Sequence, residues 1–497
     1  MKAMPTNISR RSFLECMACF AAGQAFAAPP GIFSGADPKL VFAAMTDIHV
    51  CHPKTGRNLG TEVFELALEW YRRQMIDAVL VAGDLAEHGL TDELEMMGEA
   101  WRKMFPDNRR PDGGIVEKVF VAGNHDWEGW KYGDFVKKLY PREKAQEQHR
   151  LAAHYSETWE SAFGEKYEPI YMKNIRGYRF IGGHWEKGNS RQFGERLSGF
   201  LKEHSDELRG VKPFFYVQHP HLRGTVFEVK TGVCDDGKTT EALSSFPNAV
   251  TFSGHSHWSI TDERSIVQDA FTSVNLGCLR RAGFRVTKNS VPGVGYENWR
   301  TPGARKSEKA REINREKVMP QYPAHRRCHQ GALVKVFDDR IVIERREFGG
   351  GAPVAPDWVI PLPVSKERPY DFKKRSVTSV APAFPQDAEL KVERITAQTR
   401  GGKSESSVKL VFPAANAKKG VRPYDYRIEI IDGTGKSTFR AVLAEGVGFG
   451  VESELAQGPS SCVLARKTLP KGPLTFKVFP GECFGKLGEP ITANFNG

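Results

Sequence analysis

No apolar run in this chain of 497 residues is long enough to cross a bilayer as a helix. Cysteine is sparse, eight residues in all. The six beyond residue 27 form no Cys-x-x-Cys pair, so neither a zinc knuckle nor a dithiol redox motif is supported there. A phosphate loop is missing too. The run Asp432-Gly433-Thr434-Gly435-Lys436-Ser437 would need a glycine where Ile430 stands, and it reads as a hairpin turn. No nucleic-acid-binding motif accompanies the formal charge of +11, so charge alone does not make the chain a DNA or RNA binder. It suits anionic substrates, cell-surface polymers or simple solubility equally well. Apolar residues, by contrast, make up 40% of the chain, ample for the two or three domains this length implies.

The N-terminus reads as an address rather than as fold. Ser9-Arg10-Arg11-Ser12-Phe13-Leu14 resembles a twin-arginine export signal, with Glu15 where such signals usually carry Lys. An apolar stretch from Cys16 to Phe26 and a small-residue site at Ala25-Phe26-Ala27 follow. Residues 1–27 are therefore expected to be a signal peptide that hands the chain to the twin-arginine export machinery. The mature protein is expected in the periplasm or outside a bacterial cell, with no transmembrane segment. Six cysteines would remain: Cys51, Cys234, Cys278, Cys328, Cys462 and Cys483. Cys462 and Cys483 share the last expected domain and are the best candidates for a disulfide.

Along the chain, apolar β-rich runs alternate with amphipathic helices. Leu40–Thr46, Ala78–Ala82 and Val119–Ala122 read as buried strands, with helices expected from about Glu62 to Met75 and Thr91 to Phe105. This is a βαβ pattern. Each strand ends in polar residues: Asp47-Ile48-His49, then Gly83-Asp84, then Gly123-Asn124-His125-Asp126. Residues two apart on an extended chain point the same way, so Asp47 and His49 can reach one metal ion together. A charged helix is expected from about Pro141 to Phe163, strands at Pro169–Met172 and Tyr178–Gly182, and a helix from Gly194 to Leu208. Lys212–Val217 ends in Gln218-His219-Pro220-His221, and Asn248–Phe252 ends in Ser253-Gly254-His255-Ser256-His257. Ile266–Asn275, Leu333–Phe337 and Ile341–Glu347 complete a strand-rich second half. Between them, Arg280–Gln330 is a basic insertion with Tyr296, Trp299 and Tyr322, read as a flap over the site.

Taken in order, the strand-end motifs Asp47-x-His49, Gly83-Asp84, Gly123-Asn124-His125-Asp126, His219 and Gly254-His255-x-His257 resemble the calcineurin-like metallophosphoesterase superfamily, over roughly Lys39 to Phe348. The resemblance implies a four-layer α/β/β/α sandwich of two mixed sheets with a dinuclear metal site. It implies that Asp47, His49, Asp84 and His257 hold one ion. Asp84, Asn124, His219 and His255 would hold the other, with Asp84 bridging. His125 would give a proton to the leaving alkoxide, oriented by Asp126. A ligand set of N and O without thiolate suits manganese, iron or zinc, and two such ions support attack on phosphorus by a bridging hydroxide. Glu87 stands where purple acid phosphatases carry a Tyr, so an iron–tyrosinate centre is not expected. The run Gly83–Gly89 is similar to the phosphodiesterase-like branch, a lean towards diesters. His184 and His221 are candidate substrate contacts.

The expected organisation is thus a metallophosphoesterase domain over residues 28–365, with the insertion at 281–330. A proline-rich linker at 366–385 and a β-sandwich resembling fibronectin type III at 386–497 complete it. The expected activity is that of an exported hydrolase of phosphate mono- or diesters that uses two divalent ions. A surface- or carbohydrate-binding protein with a vestigial phosphoesterase domain and a nuclease, with nucleic acid entering only as substrate, are the alternatives.

Overall fold

The computed structural model describes residues 37–53, 60–128, 155–186, 193–228, 233–283, 328–364, 366–398, 403–416, 422–450 and 454–496. The expected signal peptide, and most of the 281–330 insertion with Tyr296, Trp299 and Tyr322, lie outside them. Residues Pro38–Gly497 form one compact unit.

Alternation along a single strand sets up the architecture. In β1 (Leu40–Met45) every residue is buried, because both faces are covered. Val41, Ala43 and Met45 pack with Phe64 and Leu68 of α1 (Glu62–Arg73) and with Leu94 and Trp101 of α2 (Thr91–Met104). Leu40, Phe42 and Ala44 face the opposite way, towards a second sheet. The Phe42 ring meets Phe180, Phe215 and Phe252 of that sheet with centroids 5.1, 5.0 and 5.8 Å away, all edge-on.

The first sheet runs parallel through β1, β2 (Ala78–Ala82) and β3 (Glu117–Val121). The second contains β4 (Ile170–Ile175), β5 (Tyr178–Gly183), β6 (Phe214–Val217), β7 (Ala249–Ser253), β8 (Ile266–Gln268) and β9 (Thr272–Asn275), in the order β4-β5-β6-β7-β9-β8. Its central strands β5, β6, β7 and β9 are parallel. On its outer face Ile181, Phe214 and Tyr216 pack against Leu197 and Leu201 of the helix Phe193–Glu203. Antiparallel strands β10 (Gln330–Val336) and β11 (Arg340–Glu347) extend the first sheet beyond β1, so both sheets are mixed.

Two all-β sheets follow. Lys391–Gln398, Ser404–Phe412 and Ser460–Ala465 form a three-stranded sheet. Asp425–Asp432, Ser437–Leu443, Leu474–Gly481 and Ile491–Phe495 form a four-stranded one. Leu410 and Phe412 of the first and Tyr426, Ile428 and Phe476 of the second share one core.

Several expectations are revised. The stretch 366–385 is folded rather than a free linker. Helix Phe372–Thr378 is capped by the Asp371 side chain, which accepts from Lys374 N. Its Arg375 donates to Glu263 Oε2 at 2.8 Å. Ile266–Asn275 is two antiparallel strands, and the helix ending at Leu208 is broken at His204. Of the charged helix expected over 141–163, only Tyr155–Phe163 lies among the described residues. All six cysteines outside the expected signal peptide are free thiols. Cys462 and Cys483 are both buried in the core shared by the C-terminal sheets and are not bonded to each other.

Candidate metal centre

Parallel strands that stop at a common edge present their last residues together. Asp47 follows β1, Asp84 follows β2, Asn124 follows β3, His219 follows β6, and His255 and His257 follow β7. Main-chain bonds tie these ends to one another: Asp47 N donates to Gly83 O (3.0 Å), His49 N to Asp84 O (2.9 Å) and Gly254 N to His219 O (2.9 Å). Two more cross between the sheets, Leu279 N to Thr46 O (2.9 Å) and Trp185 N to Ala122 O (3.0 Å).

The backbone there is bent beyond what side chains ordinarily tolerate. Asp47, His49, Asp84, His255 and His257 all have positive φ, from 51° to 70°. Such conformations cost about 1–2 kcal/mol per residue and persist only where the surroundings enforce them. Glycines make the crowding possible. A Cβ on Gly123 would lie 2.2 Å from Asp84 Oδ1, one on Gly83 2.6 Å from His219 Nδ1, and one on Gly254 1.9 Å from Thr46 Oγ1.

The donor atoms form two groups. In one, His257 Nε2 lies 3.1 Å from His49 Nε2 and 3.0 Å from Asp47 Oδ1. His49 Nε2 is also 3.6 Å from Asp47 Oδ1 and from Asp84 Oδ2. In the other, His219 Nε2 lies 3.1 Å from Asn124 Oδ1, 3.1 Å from His255 Nδ1 and 3.2 Å from Asp84 Oδ2. Asp84 Oδ2 therefore belongs to both. Two ligands each about 2.1 Å from one ion stand about 3.0 Å apart at a right angle and about 3.4 Å at the tetrahedral angle. The observed separations match that spacing.

Hydrogen bonding singles out which atoms face inward. Asp47 Oδ2 accepts from Thr46 Oγ1 (2.9 Å) and His255 N (3.0 Å). Its Oδ1 is buried without a hydrogen-bond partner, His257 notwithstanding. Asp84 Oδ1 accepts from His125 N at 2.9 Å, leaving Oδ2 for the cluster. His219 Nδ1 lies 2.7 Å from Ala82 O. A carbonyl only accepts, so the proton sits on Nδ1 and the Nε2 lone pair faces Asn124 Oδ1, itself an acceptor. A cation resolves these facing lone pairs. Without one the cluster holds protons: burial alone would depress the His219 imidazole, but Asp84 more than offsets this and raises it to about 9. His49 rises to about 10 for the same reason, with Asp47 and Glu87 opposing burial. The donor set thus fits a pair of divalent ions.

His125 lies at the edge of the first group. Its Nδ1 donates to Glu87 O (2.7 Å) and its ring meets His49 edge-on, centroids 4.6 Å apart. Asp126, expected to orient His125, is tied to the main chain. Its fully buried carboxylate accepts main-chain N–H bonds from Gly123 (2.7 Å), Ala86 (2.8 Å) and Leu85 (3.2 Å), which fastens the end of β2 to the end of β3. Burial, and then the Asp84 charge, push this carboxyl up to about 7.

The two candidate substrate contacts are both buried. His184 is buried among Trp159, Tyr167 and Tyr171, and its Nδ1 accepts from Ala122 N at 3.0 Å. Burial lowers it to about 3, so it stays neutral and braces β3. His221 is fully buried between Ser253 Oγ (2.8 Å) and Ser256 Oγ (2.7 Å), where it supports the loop bearing His255 and His257.

Three neighbours escaped the sequence reading. Glu87 Oε2 stands 3.0 Å from His49 Nδ1 and accepts from Arg280 Nη1 at 2.7 Å. Burial opposes its charge, but His49 and Arg280 hold the carboxyl down to about 2. The Trp185 ring lies 6.0 Å from that of His255, and its buried indole N–H has no partner among the described residues. Only Glu87 had a signal, its place three residues after Asp84.

Residues 40–259 match the family model of calcineurin-like phosphoesterases. No curated protein matches. Among solved structures, a dimetal phosphatase from Danio rerio is 12% identical with a TM-score of 0.35, covering 65% of this chain and 99% of its own. A purple acid phosphatase from yellow lupin (Lupinus luteus) seeds is 13% identical with a TM-score of 0.37, covering 65% of this chain and 53% of its own.

Proposed function

We propose that this chain is a dinuclear-metal hydrolase of phosphoric mono- or diesters. Asp47, His49, Asp84 and His257 would hold one divalent ion and Asp84, Asn124, His219 and His255 the second, with Asp84 Oδ2 shared. Such a pair, when bound, supplies Lewis acidity to the phosphoryl oxygens and a water activated at neutral pH. The single observation that carries this reading is the pair of inward-facing donor groups meeting at Asp84 Oδ2.

The chain's own residues do the rest. Neutral Asn124 lowers the negative charge of the site, which favours entry of an anionic ester. His125 commits its Nδ1–H to Glu87 O, so Nε2 is the nitrogen assigned to the leaving oxygen, and the ring delivers a proton from it only as the imidazolium. Asp126 is a positioning residue acting through the main chain of Gly123. Metal-loaded protein should hydrolyse p-nitrophenyl phosphate or its bis ester, and Asp84→Asn should abolish this. His125→Ala should lower kcat about 10²–10⁴-fold for an alkyl phosphate and far less for nitrophenyl esters, whose leaving group needs no proton. Wild type no faster than Asp84→Asn with manganese, iron and zinc each tried would refute the proposal.

The layering of helices and mixed sheets is read as α/β/β/α, and the C-terminal sheets as a fibronectin type III-like module. The Arg10-Arg11 signal supports export. Fractionation of bacteria expressing the full chain tests it, Arg10→Lys with Arg11→Lys being expected to retain the precursor in the cytoplasm.

A further inference from the structure

We infer that Arg280 forms a second anion site beside the metal centre, selecting phosphoesters whose leaving alcohol carries its own carboxylate or phosphate. The inference rests on the phosphoesterase reading for the identity of the scissile group.

Arg280 enters the site because its main chain is pinned there, Arg280 N donating to Asp47 O at 3.1 Å. Its Nη1 then donates to Glu87 Oε2 at 2.7 Å and to His49 O at 2.8 Å. Both hydrogens of Nη1 are thereby used. Nε and Nη2, the pair that forms a bidentate fork for a carboxylate or phosphate, donate to no described residue. The side chain is 13% exposed, and among the described residues the guanidinium is held through Nη1 alone. A fork fixed in this way loses little rotamer freedom when it takes an anion.

Its position says which part of a substrate it meets. Glu87 joins the guanidinium to the proton donor: its carboxylate takes Arg280, and its carbonyl takes His125 Nδ1. Ligand atoms of His49, Glu87 and His125 all lie within 4.8 Å of one another. Arg280 therefore flanks the side on which His125 meets the leaving oxygen, away from the Asn124, His219 and His255 group. An anionic substituent on the leaving alcohol is what that side offers a partner to.

The test is calorimetric binding of phenylphosphonate and its ortho-, meta- and para-carboxylated forms to the manganese-loaded full chain, wild type, Arg280→Gln and Arg280→Lys. At least one carboxylated isomer should bind wild type about tenfold or more tightly than the parent. Arg280→Gln should erase that preference, so that the variant binds parent and carboxylated ligands alike, and Arg280→Lys should restore part of it. A merely structural arginine would weaken parent and carboxylated ligands alike, and that outcome overturns the proposal. So does a wild type without preference for any isomer, or a preference that survives in Arg280→Gln. Phenyl phosphate hydrolysis is followed in parallel. A binding preference without turnover would defeat the phosphoesterase reading and leave the anion site standing.

Discussion

In the C-terminal sheets every described residue with positive φ is a glycine: Gly435, Gly446, Gly472 and Gly485. Around the metal centre the same backbone region is occupied by Asp47, His49, Asp84, His255 and His257. The C-terminal glycines sit in turns where little else is near; a Cβ on Gly435 or Gly472 would meet nothing within 4 Å. The glycines of the centre are hemmed in by ligands. The first region turns its chain where turning is cheap, and the second turns it where side chains must converge. The difference teaches where the fold spends stability on geometry, since five such residues at about 1–2 kcal/mol each rival the net stability of a small domain.

The sharpest way to break this comparison is a matched pair of glycine substitutions. Gly254→Ala should bring the bound metal, measured by elemental analysis, from two ions per chain to less than one. Gly472→Ala should leave both ions in place and cost only about 1 kcal/mol. Next in size is Asp84→Asn, whose shared oxygen serves both groups. It should reduce both ions, whereas His255→Ala should spare the ion of Asp47, His49 and His257. A third test addresses the join between the regions. The buried Arg422 donates to Val354 O (3.1 Å), Phe449 O (2.7 Å) and Gly446 O (3.1 Å). Arg422→Met should cost about 1–3 kcal/mol per stranded carbonyl, seen as a lower Tm in calorimetry with metal affinity unchanged.

The smallest effect is on protons. In the metal-free centre His49 and His219 sit at about 10 and about 9, so at pH 7 both Nε2 atoms are protonated and must lose that proton to ligate. Loading should release about two protons, one per ion, and the apparent affinity of each site should rise by up to about tenfold per pH unit between 6 and 8. Titration calorimetry in buffers of different ionisation enthalpy reads the number directly.

The convergent strand ends were legible because each motif lies within a few residues of an apolar run whose period declares a strand. Asp47, Asp84 and Asn124 needed no tertiary knowledge to be placed on one edge. What lay beyond reach is held by contacts across long separations. Glu87 meets Arg280 193 residues later, and Asp126 is defined by the amides of Leu85 and Ala86, 41 and 40 residues earlier. His184 and His221 look the same in sequence as the metal-facing histidines, and only burial separates them. Helix Phe372–Thr378 has little apolar periodicity of its own and forms against Glu263 through Arg375. The strand Ile491–Phe495 is likewise defined by its pairing with Leu474–Val478.

The distance between His49 and His257 along the chain, 208 residues for 3.1 Å in space, has a kinetic consequence. No fragment that stops before β7 contains a complete ion site, and contacts of such high order are the last that a folding chain can afford to close. Ion capture in this protein is therefore a report that folding has finished, and a chain stalled with its second sheet unpaired should emerge from a folding reaction metal-free.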